Sequence, residues 1–288
     1  MNNSHVNIIE CPRDAMQGIQ QFIHTSDKIS YLNKLLRVGY HAIDFGSFVS
    51  HELIPQMADT AKVVNALDLA STTTKLIAIV ANERGAKEAC TFETIDCLGF
   101  PFSVSETFQL RNANSTIEAS LERLKHIRQL TANHNKELII YISMGFGNPY
   151  GDAYNPEIVE QWMEKLVQLN VKTFMLSDTV GVAEPKIIEH LFSSLIRAFP
   201  KLEIGAHLHT APHNWKIKVE AAYKNGCRRF DSAIKGYGGC PMAKDDLIGN
   251  MPTENLLNYF SPEQLGKDFK LDAFEDALRE AVRIFPAH

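Results

Sequence analysis

Residues 172–209 read KTFMLSDTVGVAEPKIIEHLFSSLIRAFPKLEIGAHLH. The stretch opens with a short apolar run, 172–177, and closes with a second one, 203–209. Between them, 185–199 starts on Pro185, which suits the first turn of a helix, and carries helical periodicity. Strand, helix and strand in that order predict a right-handed βαβ unit and a parallel sheet.

The same unit recurs in both directions. Runs rich in β-branched or apolar residues lie at 6–11, 42–48, 75–80, 94–100, 137–144 and 228–234, making eight with the two above. Helical periodicity fills the intervals. Segment 26–38 sets Ile29, Leu32, Leu35 and Leu36 on one face, and 115–130 does so with Ile117, Leu121, Leu124 and Ile127 after the cap-like Asn114-Ser115-Thr116. Segment 156–169 again begins with proline. Eight βα units predict a closed (β/α)8 TIM barrel, for which about 250 residues is usual. The expectation is a single catalytic domain over 1–288, with a C-terminal helical segment at about 262–285 that packs on the barrel or meets a second subunit. A doubly wound open sheet is the alternative, but no Gly-x-Gly-x-x-Gly follows the first strand. Gly99 and Pro101 make the fourth strand the least regular.

Composition narrows the function. The chain has 45% hydrophobic and 22% charged residues and a net charge of −5, which disfavours a nucleic-acid binder. No apolar stretch is long enough to span a bilayer. The N-terminus lacks the basic and apolar regions of a signal peptide. Five cysteines, at 11, 90, 97, 227 and 240, follow no zinc-finger spacing and fit a reducing cytoplasm.

His207 and His209 stand two apart, so on a strand both imidazoles face one side while Leu208 turns away. Neutral imidazole is a common metal ligand. In a barrel, chemistry collects where strands end. The predicted strand ends carry Cys11-Pro12-Arg13-Asp14, Asp44, Ser177-Asp178-Thr179, His207-Leu208-His209 and Gly238-Gly239-Cys240-Pro241, with Asn250 soon after. Asp14, Asn250 and the two histidines form a mixed N/O donor set that suits Mg²⁺ or Mn²⁺, or a less selective Zn²⁺ or Co²⁺. Arg13 is always charged and suits an oxyanion. Cys240, in a glycine-rich stretch, is a candidate proton donor.

These motifs, with Ala15-Met16-Gln17, Ser47-Phe48-Val49-Ser50, Pro55-Gln56-Met57 and Asp178-Thr179-Val180-Gly181, resemble the 3-hydroxy-3-methylglutaryl-CoA lyase family over residues 6–260. The resemblance implies a TIM barrel that cleaves an acyl-CoA to acetyl-CoA and acetoacetate with a divalent metal, as in leucine degradation. It makes Asp14, His207, His209 and Asn250 metal ligands, and Arg13, Asp14, His207 and Cys240 catalytic. It puts Gln17, Asp44, Tyr141 and Asp178 near the substrate, and a homodimer is compatible with it. The chain differs from the family pattern at Ala15, Asp44, Met175 and Thr210, around the substrate rather than the metal. Two alternatives stay open. One is another acyl-CoA lyase or a Claisen-condensing or aldolase-type enzyme of the same superfamily. The other is a barrel that binds without catalysis.

Overall fold

The structure is a computed structural model that describes residues 5–239 and 248–286. Eight parallel strands close into a barrel in chain order. They are β1 (Asn7–Glu10), β2 (Ala42–Ser47), β3 (Lys75–Ile79), β4 (Cys97–Ser103), β5 (Glu137–Ser143), β6 (Thr173–Ser177), β7 (Glu203–His207) and β8 (Arg229–Ser232). Closure comes from β8 pairing with β1, where Asn7 stands opposite Arg229 and Glu10 opposite Ser232.

β4, β7 and β8 depart most from expectation, β8 running Arg229–Ser232 against the expected 228–234. β4 starts later and runs through Pro101 to Ser103. The ladder between β3 and β4 ends with Ile79 opposite Gly99, whose carbonyl accepts from Val80. Alternate residues address the same neighbour, so the position where Pro101 lacks an N–H faces β3 beyond its end. β7 stops at His207, and His209 instead forms an antiparallel bridge with Asn250.

Helices cover the barrel where periodicity placed them. Thr25–Leu35, Ile117–Asn133, Pro156–Val167 and Pro185–Ala198 match the four predicted segments within a few residues. Thr116 caps the second of these by accepting from the Ala119 amide at 3.1 Å. The C-terminal region holds a short helix at Pro262–Leu265 and a long one at Leu271–Ile284. The long one packs on the Thr25–Leu35 helix: Lys34 donates to Glu280 at 2.6 Å, and the Tyr31 and Phe285 rings meet edge-on at 5.9 Å.

Inside the barrel, side chains stack by size. Ile9, Ile77 and Ile139 form an apolar middle with Cys97 and Met175. Gly205 leaves room for Met175, since a Cβ there would lie 2.6 Å from the Met175 sulfur. Gly99 likewise leaves room for the Tyr141 ring, 2.9 Å from where a Cβ would sit. This packed middle leaves the C-terminal mouth as the place for a site.

Candidate active site

The mouth is built from four strand ends. After β1 the chain turns straight into the helix Pro12–Gln17, whose first turn carries Arg13 and Asp14, both buried. The Arg13 guanidinium lies along the carboxylate of Asp44 on β2, with Nε 3.0 Å and 3.2 Å from its two oxygens. Nη2 donates to the same carboxylate, and Nη1 reaches Asp14 at 2.8 Å and Gln17 at 2.9 Å. The Gln17 amide in turn donates to Asp14 at 2.6 Å. Burial alone would raise the Asp14 pKa, but Arg13, His207 and His209 outweigh it and hold the carboxyl below its usual range. For Asp44 burial wins over Arg13, and its carboxyl rises to about 6.

His207 and His209 converge as their spacing predicts, with ring centroids 5.3 Å apart. One ligand atom from each of Asp14, His207 and His209 lies within 4.8 Å of the other two. His207 Nδ1 is 3.0 Å from Asp231 on β8. Burial pulls the His207 pKa down, yet the Asp231 hydrogen bond and charge leave it raised. His209 differs. Burial and the neighbouring His207 push it down to about 3, which leaves a neutral ring. Among the described residues its Nδ1 is buried with no hydrogen-bond partner, as a nitrogen available to a cation would be.

Asn250 completes the cluster from the far end of the chain. Its backbone bridges to His209, and its amide N–H groups reach Asp14 at 2.8 Å and the Tyr237 carbonyl at 2.9 Å. The amide oxygen is therefore the atom it can offer a cation. Gly238 lies against this junction with φ +88°, where a Cβ would stand 2.7 Å from the Asp14 carbonyl and 2.8 Å from Asn250 Nδ2. Only glycine meets both demands. Cys240, the expected proton donor, lies outside the described residues.

The remaining expected residues differ in surroundings. Tyr141 stands edge-on to His207 with centroids 6.0 Å apart, and its buried hydroxyl has no partner among the described residues. Asp178 is only 1% exposed and is turned to the scaffold. It accepts from Lys218 at 2.6 Å and from the Ala183 amide at 2.9 Å. Lys218 also donates to the His209 carbonyl at 3.0 Å, so one ammonium ties the ends of β6 and β7 together.

Asp231 and Lys218 escaped the sequence argument. Asp231 had a signal: it is a carboxylate inside the apolar run 228–234, in step with Arg229. Lys218 had none, because a single lysine in a helix is ordinarily solvated.

A family model described as HMGL-like matches residues 6–279. The chain belongs to the HMGL-like family. This HMGL-like chain is 30% identical to the hydroxymethylglutaryl-CoA lyase of Bacillus subtilis, over 93% of itself and 89% of that protein. It is also 30% identical to a 3-hydroxy-3-isohexenylglutaryl-CoA/hydroxymethylglutaryl-CoA lyase of Pseudomonas aeruginosa, covering 94% and 90% of the two. Among solved structures it resembles an HMG-CoA lyase of Acinetobacter baumannii in complex with coenzyme A and 3-methylmalate. The TM-score is 0.89 at 26% identity, over 99% of this chain and 92% of that one.

Proposed function

We propose that this chain is a divalent-metal-dependent carbon–carbon lyase that cleaves 3-hydroxy-3-methylglutaryl-CoA to acetyl-CoA and acetoacetate in the cytoplasm. The observation that carries the proposal is the buried Nδ1 of His209, without a partner among the described residues, beside Asp14, His207 and Arg13. Three donors within 4.8 Å of one another, with a neutral imidazole among them, suit a divalent cation. Asp14, His207, His209 and the Asn250 oxygen would hold it, and the N/O set favours Mg²⁺ or Mn²⁺. When bound, the ion supplies Lewis acidity and a template for a hydroxyl and a carboxylate oxygen.

The chain's own groups account for the rest of the cleavage. The tertiary hydroxyl proton passes to Asp14, or to His207 where its Nε2 is free of the ion, with Asp231 behind the imidazole. The O–H electron pair becomes the carbonyl of acetoacetate as the carbon–carbon bond breaks. The pair from that bond remains on the acetyl-CoA fragment as an enolate. Arg13, held by Asp44, Asp14 and Gln17, is the fixed cation for the enolate oxygen. A proton from Cys240 then completes acetyl-CoA.

The test is a coupled acetoacetate assay on purified protein, with and without Mg²⁺ or Mn²⁺. The expected result is metal-dependent turnover that is lost in His209→Ala. Normal metal binding without turnover of 3-hydroxy-3-methylglutaryl-CoA would remove this substrate. Full metal affinity in His209→Ala would remove the site.

A further inference from the structure

Glu10 is the last residue of β1 and has 0% exposure. Its neighbour Ile9 points into the barrel, so Glu10 points out of it. There its two oxygens reach different segments. Oε1 accepts from the Ile234 amide at 2.8 Å, and Oε2 lies 2.6 Å from the Thr253 hydroxyl. Residues 234 and 253 are the roots of the two stems that bring Tyr237 and Asn250 to the mouth.

Those stems are knitted to each other and to β7. Ala233 donates to the Met251 carbonyl at 2.9 Å, and Thr253 donates to the Ala233 carbonyl at 3.1 Å. Met251 donates to the Leu208 carbonyl at 3.0 Å. The result sets Asn250 opposite His209 and within 2.8 Å of Asp14. Four residues before Asp14 on the same chain, Glu10 thus grips both stems that deliver Asn250.

A carboxyl is a poor choice for mere packing here. Among the described residues, the groups facing it are Thr253, the Ile234 amide, Tyr40, Tyr31 and Glu254, none of them a cation. Burial lifts its pKa to about 8. The Thr253 hydroxyl donates to Glu10 Oε2 and lies 2.9 Å from Ser232 Oγ, so the bridge extends to the end of β8. An apolar side chain would avoid the desolvation cost, but it would remove the side-chain bridge that anchors both stems to the end of β1.

We propose that Glu10 is a positioning residue for the metal centre, fixing Asn250 against Asp14 and His209 by bridging Ile234 and Thr253. The inference rests on the metal centre proposed above. Mn²⁺ titration of the metal-free protein, followed by calorimetry, tests it without turnover. Glu10→Met is expected to weaken Mn²⁺ binding roughly 10–100-fold, the range for residues that orient ligands. Glu10→Gln keeps one acceptor and one donor and is expected to bind like wild type. Thr253→Val breaks one arm of the bridge and is expected to weaken Mn²⁺ to an intermediate degree. Leu124→Ala, a buried truncation in the Ile117–Asn133 helix, is expected to lower the melting temperature and leave Mn²⁺ affinity alone.

Wild-type affinity in Glu10→Met overturns the inference and spares the metal centre. Where Glu10→Met does not fold, unchanged affinity in Thr253→Val overturns it equally. Parallel weakening in Leu124→Ala also overturns it, because general stability then explains the loss. A wild-type protein that takes no Mn²⁺ removes the centre itself, and the inference with it.

Discussion

Lys218 donates to Asp178 across 2.6 Å, with both side chains almost wholly removed from solvent. The same ammonium holds the His209 carbonyl, so a buried ion pair sits directly behind an imidazole of the site. Removing one partner of such a pair leaves an uncompensated charge, which costs roughly 3–5 kcal/mol. Lys218→Met should therefore destabilise the protein by about that amount and weaken Mn²⁺ binding. Lys218→Met with Asp178→Leu should recover most of the stability but not the metal affinity. Urea unfolding and Mn²⁺ titration of the single and double variants separate the two effects. Equal stability of the single variant and wild type would refute the argument.

Arg13 meets three partners at once through one rigid planar guanidinium, a geometry a lysine ammonium does not reproduce. Arg13→Lys keeps the charge and loses the fork, so kcat should fall about 10²–10³-fold, as when one oriented donor to an oxyanion is lost. KM should change little. Steady-state kinetics decide the matter, and a kcat near wild type would place the enolate oxygen elsewhere.

Asp231 sets the tautomer of His207 through Nδ1. Asp231→Asn can still bond that nitrogen, but it withdraws the negative charge and permits the other tautomer. Metal affinity should drop roughly 10–100-fold. Titration with Mn²⁺ checks this, and unchanged affinity would show that His207 is oriented by packing alone.

Glu10 makes stability depend on pH. Its folded pKa is raised from 4.5 to about 8 by burial, so the folded protein holds a proton that the unfolded chain has released across that window. Stability attributable to this group is intact below about pH 4.5, falls as pH rises, and is fully lost above about pH 8. Glu10→Gln cannot ionise. It should match wild type near pH 4.5 and exceed it near pH 8.5, by a few kcal/mol at about 1.4 kcal/mol per unit. Melting curves across that range test this, and parallel curves for the two proteins would contradict it.

Much of the scaffold was legible because parallel strands buried on both faces read as unbroken apolar runs. The runs at 172–177 and 203–209 are of this kind. β4 was misplaced by three residues because Gly99 and Pro101 look like breakers. Both are tolerated for reasons of neighbourhood: Tyr141 fills the space over Gly99, and β3 has ended before Pro101. In the site, Arg13, Asp14, His207 and His209 stood out because they end strands. Asp231 and Glu10 showed only as carboxylates in apolar runs, and Lys218 not at all. Their roles lie in partners 24, 243 and 40 residues away (His207, Thr253 and Asp178), which no local pattern names.

Asn250 and Asp14 touch although 236 residues separate them in the chain. The hydrogen bond depends on β8 having found β1, so the proposed ligand set is incomplete in a barrel open at that joint. A cation at the site would bind the finished ring in preference to a form opened there. At a hundred times its dissociation constant it would add about 2.7 kcal/mol to the cost of opening. The ion would then serve as a seam fastener for the barrel, and metal depletion should expose the β1–β8 joint to hydrogen exchange before any other pair of strands.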